Sequence, residues 1–191
     1  MTDFDSFINR DEFHFAAVMI PIIKKDGIPY ILFEVRQSHL SQPGEICFPG
    51  GHVEKGESPL SAAIRETREE LLISEEQVHD ISPVGILITP SGLIVYAYCA
   101  KLLNYNGTFS SQETEEVFQV PLSFFLHTQP EAYHAKVTVT PDKNFPCHLL
   151  PGGRDYVWRE GKYPVFFYQY EGHTIWGMTA KILREYILKM S

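Results

Sequence analysis

Apolar residues along this chain gather in short runs separated by turn-forming residues. Phe15 to Ile23, FAAVMIPII, is an apolar run of strand length, and Pro29 to Val35, PYILFEV, is rich in β-formers. Lys24-Lys25-Asp26-Gly27 between them reads as a turn, so the pair predicts a hairpin. Pro43-Gly44 and Pro49-Gly50-Gly51 mark loops on either side of the short segment Glu45 to Phe48. The period then changes. Ser58 is a good N-cap, Pro59 suits the first helical position, and Leu60, Ile64, Thr67 and Leu71 recur at helical spacing as an inward stripe. Val84 to Thr89 and Leu93 to Leu102 follow as strands across the turn Pro90-Ser91-Gly92. Pro121 to Leu126 starts a short helix, and Tyr133 to Thr140 and Val165 to Tyr170 read as strands. Thr174 to Met190 reads as a terminal helix with Ile182, Leu183, Tyr186, Ile187 and Met190 facing inward. Strands before and after one central helix, with a helix at the end, make a mixed α/β pattern. It lacks the regular alternation of a doubly wound sheet.

Composition places this pattern in one globular domain, taken as residues 1–191. The chain has 191 residues, 44% hydrophobic and 21% charged, enough to bury a core. Sixteen lysines and arginines against 24 acids give a net charge of −8, which argues against nucleic-acid polymers and anionic membranes. No stretch approaches the roughly 20 apolar residues of a membrane helix. The acidic start, MTDFDSFINRDEF, does not read as a secretory signal. Cys47, Cys99 and Cys147 form no CxxC pair, and an odd, scattered set fits buried thiols in a reducing cytoplasm. A homodimer is compatible with all of this. If the substrate is a small anion, however, something positive has to stand between it and an acidic protein.

The candidate chemistry concentrates in Gly51 to Ile73, GHVEKGESPLSAAIRETREELLI. Glu66, Glu69 and Glu70 sit at i, i+3 and i+4, so three carboxylates share one helix face, away from the inward stripe. Like charges so placed repel unless a cation lies among them, and hard oxygen donors suit Mg²⁺ or Mn²⁺. An acidic helix face alone reads more simply as solvated surface. The glycine-rich loop ahead of it, PGGHVEKGE, shifts that balance, because glycines let backbone approach a bound group. Glu57 before the helix and Arg65 within it are placed to brace loop against helix.

Gly51, five residues, Glu57, seven residues and Arg65-Glu66-Thr67-Arg68-Glu69-Glu70-Leu71-Leu72-Ile73 together resemble the Nudix box: G, five residues, E, seven residues, then RE, an apolar residue, any residue, EE, any residue, G and an apolar residue. Every charged position matches. Thr67 stands where an aliphatic residue is usual, and Leu72 where glycine makes the turn after the helix. The resemblance implies an α/β/α sandwich around a mixed sheet, and hydrolysis of a nucleoside diphosphate linked to another group. It implies Glu66 and Glu70 as metal ligands and Glu69 as a further ligand or the holder of the reacting water. Gly51 contributes to substrate binding, and Glu57 and Arg65 are structural support.

Upstream, LFEVRQSHLSQPGEICFPGG, Leu32 to Gly51, resembles the segment ahead of the box in coenzyme A pyrophosphatases, and Ile175 to Ala180, IWGMTA, resembles a later one. Gln37 replaces a serine, Ser41 replaces a basic residue, and the loop from Arg36 to Gly44 is one residue short. Arg36 is therefore the candidate for binding substrate phosphate, while His39, Trp176 and Met178 read as surface or packing residues. The branch implied is Mg²⁺- or Mn²⁺-dependent cleavage of coenzyme A or its acyl derivatives into 3′,5′-ADP and 4′-phosphopantetheine. Glu69 and Glu113, the latter eight residues before Pro121, are both candidates for general base, with Glu115 and Glu116 nearby. Two alternatives stand beside this reading. One is a Nudix enzyme for another diphosphate, such as ADP-ribose, a nucleotide sugar, NADH or an oxidised nucleotide. The other is a nucleotide-binding sensor, which the four retained box glutamates disfavour.

Overall fold

The computed structural model describes residues 9–190, so the reading of the first eight residues lies outside the described part. The first hairpin forms from β1, His14–Lys25, and β2, Ile28–Arg36, paired antiparallel through Ile22↔Ile31 and its neighbours. Asp26 and Gly27 turn the chain with φ of 49° and 83°, the left-handed conformation that tight hairpin turns require. Beyond the hairpin, the short strands β3, Ile46–Cys47, and β4, Gly50–His52, pair with β2 and β1 respectively.

The central helix α1 spans Pro59–Leu71, and the Ser58 hydroxyl accepts a hydrogen bond from the Ser61 N–H at 3.1 Å. It ends at Leu72, which takes the left-handed conformation (φ 53°, ψ 49°) where glycine is usual. The turn is made all the same, at the steric cost of a Cβ in that region. After it come β5, Val78–Ile88, β6, Leu93–Leu102, β7, Thr114–Pro121, and the short helix α2, Leu122–His127. The main sheet runs β3-β2-β1-β6-β5, with β7 on β2 and β4 on β1. The β1–β6 pair is parallel and every other pair in it is antiparallel, giving the expected mixed sheet. A second, three-stranded sheet holds β8, Glu131–Val137, β9, Gly161–Tyr170, and β10, His173–Trp176, before the final helix α3, Gly177–Met190.

Alternation along β1 and β2 assigns the two faces. Ala17 and Met19 pack with Ala62 and Ala63 of α1, and Leu32 packs with Leu71. Ile20, Ile31 and Phe33 point the other way, into a core with Phe125 of α2 and Leu183 of α3. The sheet thus lies between helices, as an α/β/α sandwich does.

Several expectations are corrected here. Leu60 is solvent-exposed, Ile64 is half-buried, and the inward face of α1 is Ala62, Ala63, Thr67, Glu70 and Leu71. Small alanines bring the helix close to Ala17 and Ala100 of the sheet, a packing that a hydrophobicity stripe does not register. Thr67 sits inside because its hydroxyl donates to the Ala63 carbonyl at 2.6 Å. Thr174 to Trp176 belong to β10, and α3 begins at Gly177, whose φ of 64° makes the strand-to-helix bend. Met190 is exposed. The three cysteines are free thiols, each half-buried rather than buried as expected. Among the described residues, no helix is long and apolar enough to cross a membrane.

Candidate active site

The site is built where the Gly50–Gly51 strand passes between β1 and α1. Gly50 has no room for a side chain: a Cβ there would lie 2.7 Å from the Val18 Cα and closer still to the Ala17 carbonyl. Gly51 is equally confined, but by a different group, since its Cβ would lie 2.5 Å from the carboxyl carbon of Glu66. The glycines therefore let the loop touch the sheet on one side and the helix carboxylates on the other.

Arg65 ties this loop to the helix. Its Nε and Nη2 meet the two Glu57 carboxylate oxygens at 3.0 and 3.1 Å, and Nη2 also donates to the His52 carbonyl at 3.2 Å. Its Nη1 reaches Glu66 Oε1 at 2.8 Å and Glu69 Oε2 at 3.3 Å. The Glu57 hydrogen bonds, followed by those of Glu66, hold the guanidinium firmly charged. Hydrogen bonding to Arg65 likewise lowers the pKa of Glu57.

Glu70 is not on an outward acidic face as the helical wheel suggests. It is only 5% exposed, and its Oε2 accepts the Gly50 N–H at 2.7 Å. Burial, reinforced by the charges of Glu66 and Glu113, pushes its pKa up to about 8, against the restraint of that N–H and of Arg36. Burial also raises the pKa of Glu66. Glu69 lies outermost, with its side chain largely in solvent.

These groups open on a cleft of about 730 Å³ whose lining includes Arg36, Gly51, Glu66, Glu70 and Glu113. The Arg36 Nε donates to the Ser41 carbonyl at 3.0 Å, which folds the Gln37–Glu45 loop beside the cleft. Glu113 is held there by its own carbonyl, which accepts the Gln37 N–H at 3.0 Å. Glu116 points elsewhere, 3.6 Å from His173. His39 is exposed on the loop. Trp176, read from the sequence as a packing residue, does stack on Phe167 with ring centroids 5.8 Å apart, but it and Met178 are not core: both also line the cleft and are 41% and 36% exposed. Cys47 also reaches the lining, but burial, then the charges of Glu34 and Glu70, push its thiol up to about 12, so it is an inert thiol at neutral pH.

Sequence reasoning missed Glu34. This β2 residue is 2% exposed, and its Oε1 has no hydrogen-bond partner. It lies directly across β3 from Cys47 and two residues before Arg36, on the sheet face that α1 covers. Burial, then Glu70 and Glu113, raise its pKa well above the ordinary carboxylate range. The available signal was an acid at an alternate position between Leu32 and Arg36 in an otherwise apolar strand.

The donors suit a hard divalent cation: carboxylates of Glu66 and Glu70 converging on one glycine loop, with an orphaned buried oxygen on Glu34. As the side chains stand, Glu66 is turned to Arg65 and Glu70 to the Gly50 N–H. Among the described residues, no three acidic, histidine or cysteine side chains are already grouped as a metal cage.

Comparison with known proteins agrees with the box. The NUDIX domain model matches residues 13–143. The chain is 31% identical over 137 residues to the mouse peroxisomal coenzyme A diphosphatase NUDT7, covering 70% of this chain but 57% of the mouse protein. It is 29% identical to the human mitochondrial coenzyme A diphosphatase NUDT8, over 92% of this chain and 68% of that one. It is 32% identical to the uncharacterized Nudix hydrolase NudL of Enterobacter sp. (strain 638), over 92% and 82%. A MutT/nudix family protein from Enterococcus faecalis shares the fold at a TM-score of 0.55 and 14% identity, over 93% of this chain and 62% of that one. The chain belongs to the Nudix hydrolases, in their coenzyme A pyrophosphatase-like branch, and is an enzyme.

Proposed function

We propose that this enzyme hydrolyses the diphosphate of coenzyme A or its acyl derivatives with Mg²⁺ or Mn²⁺, giving 3′,5′-ADP and 4′-phosphopantetheine or its acyl form. The observation that carries this reading is the cleft itself. Its lining brings Glu66, Glu70 and Arg36 together with the apolar side chains of Val165, Trp176 and Met178. A diphosphate joined to an extended, largely uncharged arm matches that polarity. The names of the mouse and human relatives support the same substrate.

Glu66 and Glu70, joined by Glu69, would hold the cation. When bound, it neutralises diphosphate charge and acidifies water. Arg36 binds a phosphate oxygen by charge-assisted hydrogen bonding. Glu113 faces the cleft and accepts the proton of the attacking water, with Glu69 as the alternative base. The water oxygen joins one phosphorus, the bridging P–O bond breaks, and the other phosphate leaves as a monoester. Glu57 and Arg65 keep the loop seated against the helix.

One observation favours a second reading. Among the described residues lining the cleft, Arg36 is the one lysine or arginine. A substrate with a single diphosphate and no third phosphate, such as dephospho-coenzyme A or ADP-ribose, asks for no more. The test compares kcat/KM for coenzyme A, dephospho-coenzyme A, ADP-ribose, NADH and 8-oxo-dGTP with Mg²⁺ and with Mn²⁺. Coenzyme A is expected to lead ADP-ribose by at least tenfold. Turnover confined to ADP-ribose refutes the proposal.

A further inference from the structure

Glu34 has no part in the reading above, yet it is the most deeply buried carboxylate of the described chain. A buried carboxylate oxygen without a partner is expensive, and a fold keeps one only where something offsets it. Arg36, two residues along the same strand face, and a hydrogen bond with Thr114 favour the charged Glu34, but its Oε1 stays unpartnered and Glu70 and Glu113 press on it with like charge. Glu34 also pairs across the strands with Cys47, which lines the cleft, so its strand position lies one step behind the cleft wall. The group that would satisfy all of these carboxylates together is a multivalent cation.

We propose that Glu34 is a buried positioning residue of the cation site, which strengthens divalent-metal binding from behind Glu70. The proposal rests on reading Glu66 and Glu70 as the ligands. The second row of a metal site fixes its ligands and deepens its negative potential, and losing such a partner commonly weakens metal binding by about 10- to 100-fold.

The test uses the full chain without substrate, with Mn²⁺ as the probe. Free Mn²⁺ is followed by electron paramagnetic resonance for the wild type, Glu34→Gln, Glu34→Thr and Glu70→Gln. Melting temperatures are measured for each with chelator and with Mn²⁺. Glu34→Gln should weaken Mn²⁺ binding tenfold or more and shrink the Mn²⁺-induced rise in Tm, while its metal-free Tm stays level or increases. A carboxylate kept only for structure behaves oppositely: metal-free Tm falls and Mn²⁺ affinity holds. Weakening of less than threefold in the folded variant overturns the proposal, and Glu34→Thr is held to the same threshold if the glutamine variant fails to fold. If Glu70→Gln binds Mn²⁺ as well as the wild type, the ligand assignment itself fails and takes the proposal with it. That outcome is distinct from a defect confined to Glu34.

Discussion

The two adjacent glycines of the site offer a sharp contrast, because an alanine at each would meet a different kind of neighbour. At Gly51 the new Cβ would lie 2.5 Å from the Glu66 carboxyl carbon, where ordinary contact begins at 3.4 Å. The carboxylate must retreat by about 1 Å. It is the end of a flexible side chain, so the backbone need not follow, and Gly51 has no positive φ to strain. Misplacing a reacting group by about 1 Å costs on the order of 100-fold in rate. Gly51→Ala should therefore lose about two orders of magnitude in kcat/KM on the best substrate, and weaken Mn²⁺ binding, while Tm changes by a few degrees at most. At Gly50 the Cβ would press on the β1 backbone, 2.7 Å from the Val18 Cα, at φ 155°. Backbone in a paired strand cannot yield so cheaply, so Gly50→Ala should fail first in stability, with low soluble yield or a large fall in Tm. The assays are steady-state turnover, Mn²⁺ titration and thermal melting on both variants. Gly51→Ala retaining activity within threefold, or melting as early as Gly50→Ala, would refute the reasoning.

Other outcomes follow from the same geometry. The raised pKa of Glu70, about 8 when folded against an ordinary value of 4.5, means the folded chain binds extra protons between those values. The stability that this proton provides is fully present below about 4.5 and is lost as pH rises through about 8. Chelator-treated protein should accordingly melt lower at pH 8 than at pH 6, and added Mn²⁺ should remove the decline; a higher metal-free Tm at pH 8 would contradict it. Leu72→Gly should stabilise the fold by about 0.5–1 kcal/mol, read as a few degrees in Tm, since Leu72 is 59% exposed and strained at φ 53°. Glu113→Gln should lower kcat and erase the acidic limb of its pH profile while leaving Mn²⁺ affinity nearly intact; an unchanged profile would leave Glu69 as the base.

Strands were readable where alternation and turn chemistry coincide, as in the hairpin of β1 and β2 around Asp26-Gly27. The start of α1 was readable because Ser58 and Pro59 act locally. What eluded the sequence depends on partners distant along the chain. Leu60 looked like core and Ala62 did not, yet the sheet presents Ala17 and Ala100 beneath the helix and selects small residues there. Glu70 looked solvent-facing, but the Gly50 N–H supplies a donor that makes burial tolerable. Trp176 and Met178 looked like packing residues; Trp176 does stack on Phe167, yet both also line the cleft, on either side of the strand-to-helix bend at Gly177. Glu34 was hidden for the same reason. Whether an acid in a strand meets solvent or a helix is decided by which face of the sheet the helix covers.

The distribution of positive charge gives the acidic composition its meaning. Arg65 is the cation nearest the box glutamates, and its guanidinium is already taken up by Glu57, Glu66, Glu69 and the His52 carbonyl. It fixes the loop and has little left for a substrate. Arg36 is the cation that faces the cleft, and it is shared electrostatically with Glu34, Glu45 and Glu70. The metal-free site is therefore an excess of carboxylates held in place by the fold at some cost in stability, a common feature of sites whose chemistry needs groups that the fold alone would not choose. A diphosphate approaching that site would be repelled. A divalent cation held by Glu66 and Glu70 would offset that charge and relieve the buried repulsion. Metal binding and diphosphate binding should thus be strongly coupled, each tightening the other.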